Sequence, residues 1–198
     1  MDPNIRQVWE NFLNPEVMRS RLLAASVYIA TFEALKDSIV GRIRDFFGSG
    51  FDESGDRVDP EYQLDVLARN RSPVYASLDW LKERNAIDDT DVHAFDRVKV
   101  CRNTLAHQLF SMLASKGLPP DFEQCFLDMV ALLRKIEVWW ITNVEIPTNP
   151  DYDRKDIDEE GIVPGPMISI QLLHDIALGD EERSRFFYNE FRRQRGSG

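Results

Sequence analysis

Residues 95–113 read FDRVKVCRNTLAHQLFSML, and this stretch decides the fold. Phe95, Val98, Leu105, Leu109, Met112 and Leu113 recur at the spacing of one face of an α-helix. At about 100° per residue, Arg102 falls near the middle of that apolar stripe. A guanidinium there has to be paired, or has to open onto a cleft or an interface, because an unpaired buried charge costs too much to persist. Within about two helical turns, Arg102-Asn103-Thr104-Leu105-Ala106-His107 sets a permanent cation, an amide and a titratable imidazole.

Working outward, Asp88, Asp89 and Asp91 place carboxylates at the start of this helix, and Gly117 stops it. Pro119 and Pro120 precede a second long pattern through Phe122, Cys125, Phe126, Met129, Leu132, Leu133, Ile136 and Trp140. Upstream, Leu22, Ala25, Ile29, Phe32, Ile39, Ile43 and Phe46 predict a helix from Met18 to Phe47. Gly48-Ser49-Gly50 ends it and opens an acidic loop. A shorter helix is expected over Glu61 to Arg69. Another starts with Ser72 as N-cap and Pro73 in its first turn, and runs to Arg84. Five helical segments with short joins predict an all-α antiparallel bundle over residues 1–146, framed by the longest three.

Beyond Ile146 the composition changes. Pro147, Pro150 and an acidic run lead to Gly161, Pro164, Gly165 and Pro166, none of which suits a helix interior. Met167 to Leu178 turn apolar again, and Asp180 opens a last helix. Residues 147–198 therefore read as a linker and a helical extension packed on the bundle or exchanged with it. The mixture of Phe186, Phe187 and Phe191 with Arg183, Arg185, Arg192, Arg193 and Arg195 could hold RNA or a membrane surface. Docking through the phenylalanines, with the arginines outward, is the expected arrangement.

The net charge of −10 over 198 residues excludes a surface broadly built for nucleic acid, though not a small basic site. The acids cluster at Asp52 to Glu61, at Asp88 to Asp91 and from Asp151 to Glu160. No apolar run approaches the roughly 20 residues of a membrane helix, and nothing resembles a signal peptide, so a cytoplasmic protein is expected. Cys101 and Cys125 match no metal spacing and read as buried free thiols; no metal or cofactor is expected.

On a helix Asn103 and His107 share one side, whereas Arg102 points about 140° away from His107. One helix cannot easily bring its own two tips together. Two copies about a twofold axis could pool them in one cleft, which also explains a charge on the apolar stripe. The set suits phosphodiester cleavage without metal. Imidazole moves the proton of a ribose 2′-OH or of the leaving oxygen, guanidinium neutralises phosphoryl charge, and the amide orients. A 2′-OH nucleophile limits the substrate to RNA and leaves a cyclic phosphate.

Arg102 through His107 resembles the R-x4-6-H signature of the HEPN superfamily, over roughly Met18 to Ile146. These are small α-helical domains, many of them metal-independent endoribonucleases in bacterial toxin–antitoxin, abortive-infection and CRISPR systems. The resemblance implies catalytic roles for Arg102 and His107, support from Asn103, and a homodimer whose two motif copies form one site. It also implies a possible antitoxin or defence-system partner protein. One toxin branch carries a modifiable tyrosine two residues after the histidine; here that position is Leu109. The alternatives are a catalytically silent HEPN-like module for dimerisation or partner binding, and a regulator whose acidic loops imitate nucleic acid. Glu33 is a supporting candidate, placed to orient Arg102 or His107 from the neighbouring helix, or else simply to pair with Lys36. Trp139 and Trp140 are expected to pack inside, and His93 and His174 to be structural or solvated.

Overall fold

The structure, a computed structural model, describes residues 3–52, 55–152 and 157–196. Met1, Asp2, Glu53, Asp153, Asp156 and the terminal Ser197-Gly198 lie outside the described residues. The architecture is all-α, with one small hairpin. In order come α1 (Pro3–Leu13), α2 (Pro15–Lys36), a π-turn (Asp37–Gly41), α3 (Arg42–Phe46), β1 (Gly48–Asp52) and β2 (Gly55–Val58). Irregular helical turns over Tyr62–Arg69 lead to α4 (Pro73–Glu83), α5 (Asp89–Ser111), a π-turn (Met112–Lys116) and α6 (Phe122–Trp140). A further π-turn (Ile141–Glu145), α7 (Ile146–Thr148), α8 (Gly165–Leu178) and α9 (Glu181–Gly196) complete the chain.

The three longest helices, α2, α5 and α6, pack on one another as the frame. Tyr28, Leu35, Phe95, Val98, Leu105, Met129, Leu133 and Ile136 are fully buried between them. Each such side chain contributes on the order of 1.5–3 kcal/mol by leaving water. The Tyr28 hydroxyl donates to the Val98 carbonyl at 3.0 Å, which satisfies it inside the frame. From α4, Trp80 stacks on Trp140 with centroids 6.0 Å apart and rings 18° from parallel. Trp140 is buried, as its place in the α6 pattern predicts, and Trp139 is partly so. Beside it a charge has been taken inside: the Glu137 carboxylate, 1% exposed, receives the Ser38 hydroxyl at 2.5 Å and the Arg42 guanidinium at 2.6 Å.

Three expectations are corrected. The helix expected from Met18 begins earlier, at Pro15, and a separate helix, α1, precedes it, with the break at Asn14-Pro15. Asn14 caps α2 by accepting from the Glu16 and Val17 amides, and proline in the first turn needs no amide of its own. The acidic loop after Phe47 is instead the antiparallel hairpin β1–β2. Its bulged strand passes Gly50 at φ +124°, where a side chain is strained, and glycine-rich strands carry no alternating pattern to read. Finally, α9 docks through only part of its phenylalanine set and on α8, which itself lies on α2 and α6. Phe187 helps line a groove with Met167, Ile168 and Leu172, whereas Phe186 and Phe191 stay exposed. Ser72 occupies the expected N-cap of α4, though its side chain makes no capping bond.

Candidate functional site

The entry to α5 is fixed by a capping box. The Asp88 carboxylate accepts from the Thr90 and Asp91 amides at 2.8 and 3.1 Å, and that of Asp91 accepts from the Asp88 amide at 2.9 Å. At the exit, the Arg21 guanidinium of α2 donates to the Met112 and Leu113 carbonyls at 3.3 and 3.1 Å. The Met112–Lys116 π-turn ends at Gly117, whose φ of +74° favours glycine. Both ends of the helix that carries the hexapeptide are therefore tied down.

Arg102 sits at the rim of the apolar stripe rather than its middle. The buried residues of α5 are Phe95, Val98, Cys101 and Leu105, and Cys101, acting as a small hydrophobe, shifts the stripe's centre away from Arg102. The side chain is 31% exposed and donates to Glu33 Oε1 at 3.1 Å. It also lies over the Phe32 ring, 5.6 Å from the centroid. Its Nε is buried and meets no acceptor among the described residues. Glu33 Oε2 takes Lys36 at 3.2 Å, so one carboxylate serves two cations. Burial pulls the Glu33 carboxyl upward, but Lys36 and Arg102 outweigh it and hold the group below its ordinary value. Both readings of Glu33 are thus present: it pairs with Lys36 and it reaches Arg102. It makes no bond to His107.

Asn103 is partly exposed and His107 exposed, and neither makes a side-chain hydrogen bond among the described residues. They share the solvent face of α5 with Val100 and Phe110, which are 65% and 77% exposed. Phe110 meets Phe12 of α1 edge-on at 6.4 Å. Two large apolar side chains therefore flank the amide and the imidazole on a face that stays largely open among the described residues, with Phe12 of α1 meeting it at Phe110. Helical geometry alone could have found them, since both fall on the polar side of the wheel. Phe32 beneath Arg102 was not legible, because its partner lies on another helix.

A groove of about 720 Å³ runs between α5 and α6, lined by Val100, Cys101, Thr104, Cys125 and Asp128 among others. It holds neither Arg102 nor His107. Its cysteines are free, and burial pushes the Cys101 thiol up to about 11. No three His, Cys, Asp or Glu side chains gather as a metal site among the described residues. None of the described helices is long and apolar enough to cross a membrane. His93 is exposed, and His174 stacks on Phe126 at 6.1 Å with its edge in solvent.

Compared with protein-family models, curated proteins and solved structures, the chain finds no match. Within one chain the side chains assemble a stacked, half-buried cation on one flank of α5 and a free imidazole with an amide on the next.

Proposed function

We propose that this chain is a HEPN-type, metal-independent endoribonuclease whose active site is shared between two copies, of the kind found in bacterial toxin–antitoxin or anti-phage systems. The observation that carries this reading is the divergence of Arg102 and His107 on a helix whose His107 face is solvent-exposed among the described residues and flanked by Val100 and Phe110. Half a site beside an apolar, unfilled face is what a twofold pair completes. In that pair His107 takes the proton of a ribose 2′-OH or gives one to the leaving 5′-oxygen. The 2′-oxygen forms its bond to phosphorus as the bond to the 5′-oxygen breaks, leaving a 2′,3′-cyclic phosphate. Arg102 neutralises the charge that builds on the phosphoryl oxygens, and Asn103 orients the imidazole or the phosphate.

The test is incubation of purified protein with mixed RNA in EDTA. The native chain cuts; His107→Ala loses about 10²–10⁴-fold in rate, and Arg102→Ala loses a comparable factor. Cutting by all three, or by none, sinks the assignment. The ion pair between Arg102 and Glu33 favours a second reading, a catalytically silent HEPN-like module for dimerisation or partner binding, because it engages the phosphate-binding cation. That reading expects no cleavage, with pairing through the α5 face lost on Phe110→Glu.

A further inference from the structure

Helix α9 is weakly supported by the rest of the molecule. None of its described residues is buried, and Phe186, Phe187, Tyr188 and Phe191 are between 41% and 62% exposed. A 16-residue helix with no buried face is marginal by itself in water. So concentrated an aromatic surface marks a contact still to be made.

The sequence of α9 says what covers it. Glu181 and Glu182 stand at its start, followed directly by Arg183 and Arg185, and Arg192, Arg193 and Arg195 stand at its end after Glu190, with the aromatics between. Within the helix Arg185 meets Glu181 at 3.4 Å and Arg193 meets Glu190 at 2.8 Å. Glu181, Ser184, Tyr188, Phe191 and Arg195 recur at alternating spacings of three and four and so line one face of the helix, aromatic near its middle and charged at its ends. Phe187 turns toward α8, where it helps line a groove with Met167, Ile168 and Leu172. Tyr188 and Phe191 stay outside, with the Arg192 and Arg195 guanidiniums 6.0 and 4.6 Å from their ring centroids. Two such helices running antiparallel set Glu181 of each against Arg195 of the other and bring the two copies of Tyr188 together at the twofold axis. A parallel pair would set acids against acids and arginines against arginines. The cations of α9 are all arginine, the cation enriched in protein interfaces.

We infer that α9 is a self-association helix, which pairs antiparallel with α9 of a second copy through the Glu181–Ser184–Tyr188–Phe191–Arg195 seam. The pairing does not depend on the nuclease reading, since no residue of α5 takes part.

The test is made in a full-length Phe110→Glu background, which disables pairing through the α5 face, by sedimentation across a range of protein concentrations. The Phe110→Glu chain associates. Adding Glu181→Arg with Glu182→Arg, or Arg192→Glu with Arg195→Glu, sets like charges against each other at both ends and raises the protein needed for association at least about tenfold. An equimolar mixture of the two restores opposite charges at both ends and recovers the association. Tyr188→Ala with Phe191→Ala keeps every charge, raises helix propensity and also weakens association. A Phe110→Glu chain that stays monomeric, charge variants that associate like it, or a mixture that does not recover would each overturn the inference, and none of these outcomes bears on the nuclease reading.

Discussion

At the scale of residues, the two notable cations are held in opposite ways. Arg42 closes on Glu137 inside the protein and on Glu145 at its edge, at 2.6 and 2.5 Å. Arg42→Ala leaves the Glu137 carboxylate buried and uncompensated, so chemical denaturation should show a loss of about 3–5 kcal/mol. Arg102 is held loosely, against one half-exposed carboxylate and one ring. Such exposed pairs stabilise little, so Glu33→Ala should change folding stability by less than about 1 kcal/mol. If Glu33 positions Arg102, that variant nonetheless lowers the RNA cleavage rate, while Glu33→Gln, which keeps an acceptor oxygen, retains most of it. Because the Glu33 carboxyl lies below its ordinary value, its ion pairs are intact above that ordinary value and are lost as pH falls through the lowered one. That Arg102 needed a partner was legible in the sequence, and Glu33 was a candidate for the role. The Phe32 ring and the inward Nε were not, because they depend on how α2 crosses α5.

At the scale of elements, what could be read depended on whether the signal was local. The start of α5 was legible because its cap is built from Asp88 and Asp91, three residues apart. Asp88→Ala, which takes the cap from two amides, should lower the midpoint of thermal or chemical unfolding. The single contact of the carboxylate with Lys135 of α6 is an exposed pair and adds little. The frame helices α2, α5 and α6 were legible for the same reason, since each repeats its apolar spacing over several turns. The hairpin was not: Gly48, Ser49 and Gly50 carry neither alternation nor β-branched side chains. Helix α1 was missed although Ile5, Val8, Trp9 and Phe12 repeat at helical spacing, because it is short and followed closely by a proline. For α9 the sequence gives the helix but not its placement. Its aromatics look like a docking face, and only the packing shows that most of them are left outside.

At the scale of the whole molecule, the 147–198 extension divides in two. Helix α8 lies on the frame, with Ile170 buried and Met167 partly so against the core. Helix α9 adds nothing to that core. Ending the chain after Gly179 should therefore leave the unfolding midpoint close to native while weakening self-association. Ending it after Val163 removes α8 as well and uncovers the part of α2 beneath Ile170. Losing that one buried side chain alone costs about 1.5–3 kcal/mol, so the second truncation should melt several degrees lower. Thermal melts of the two truncations beside the native chain check this. Equal losses in both would mean that α9 supports the fold within a single chain. A loss confined to the second places α8 with the frame, and leaves α9 as an arm whose purpose lies outside its own chain.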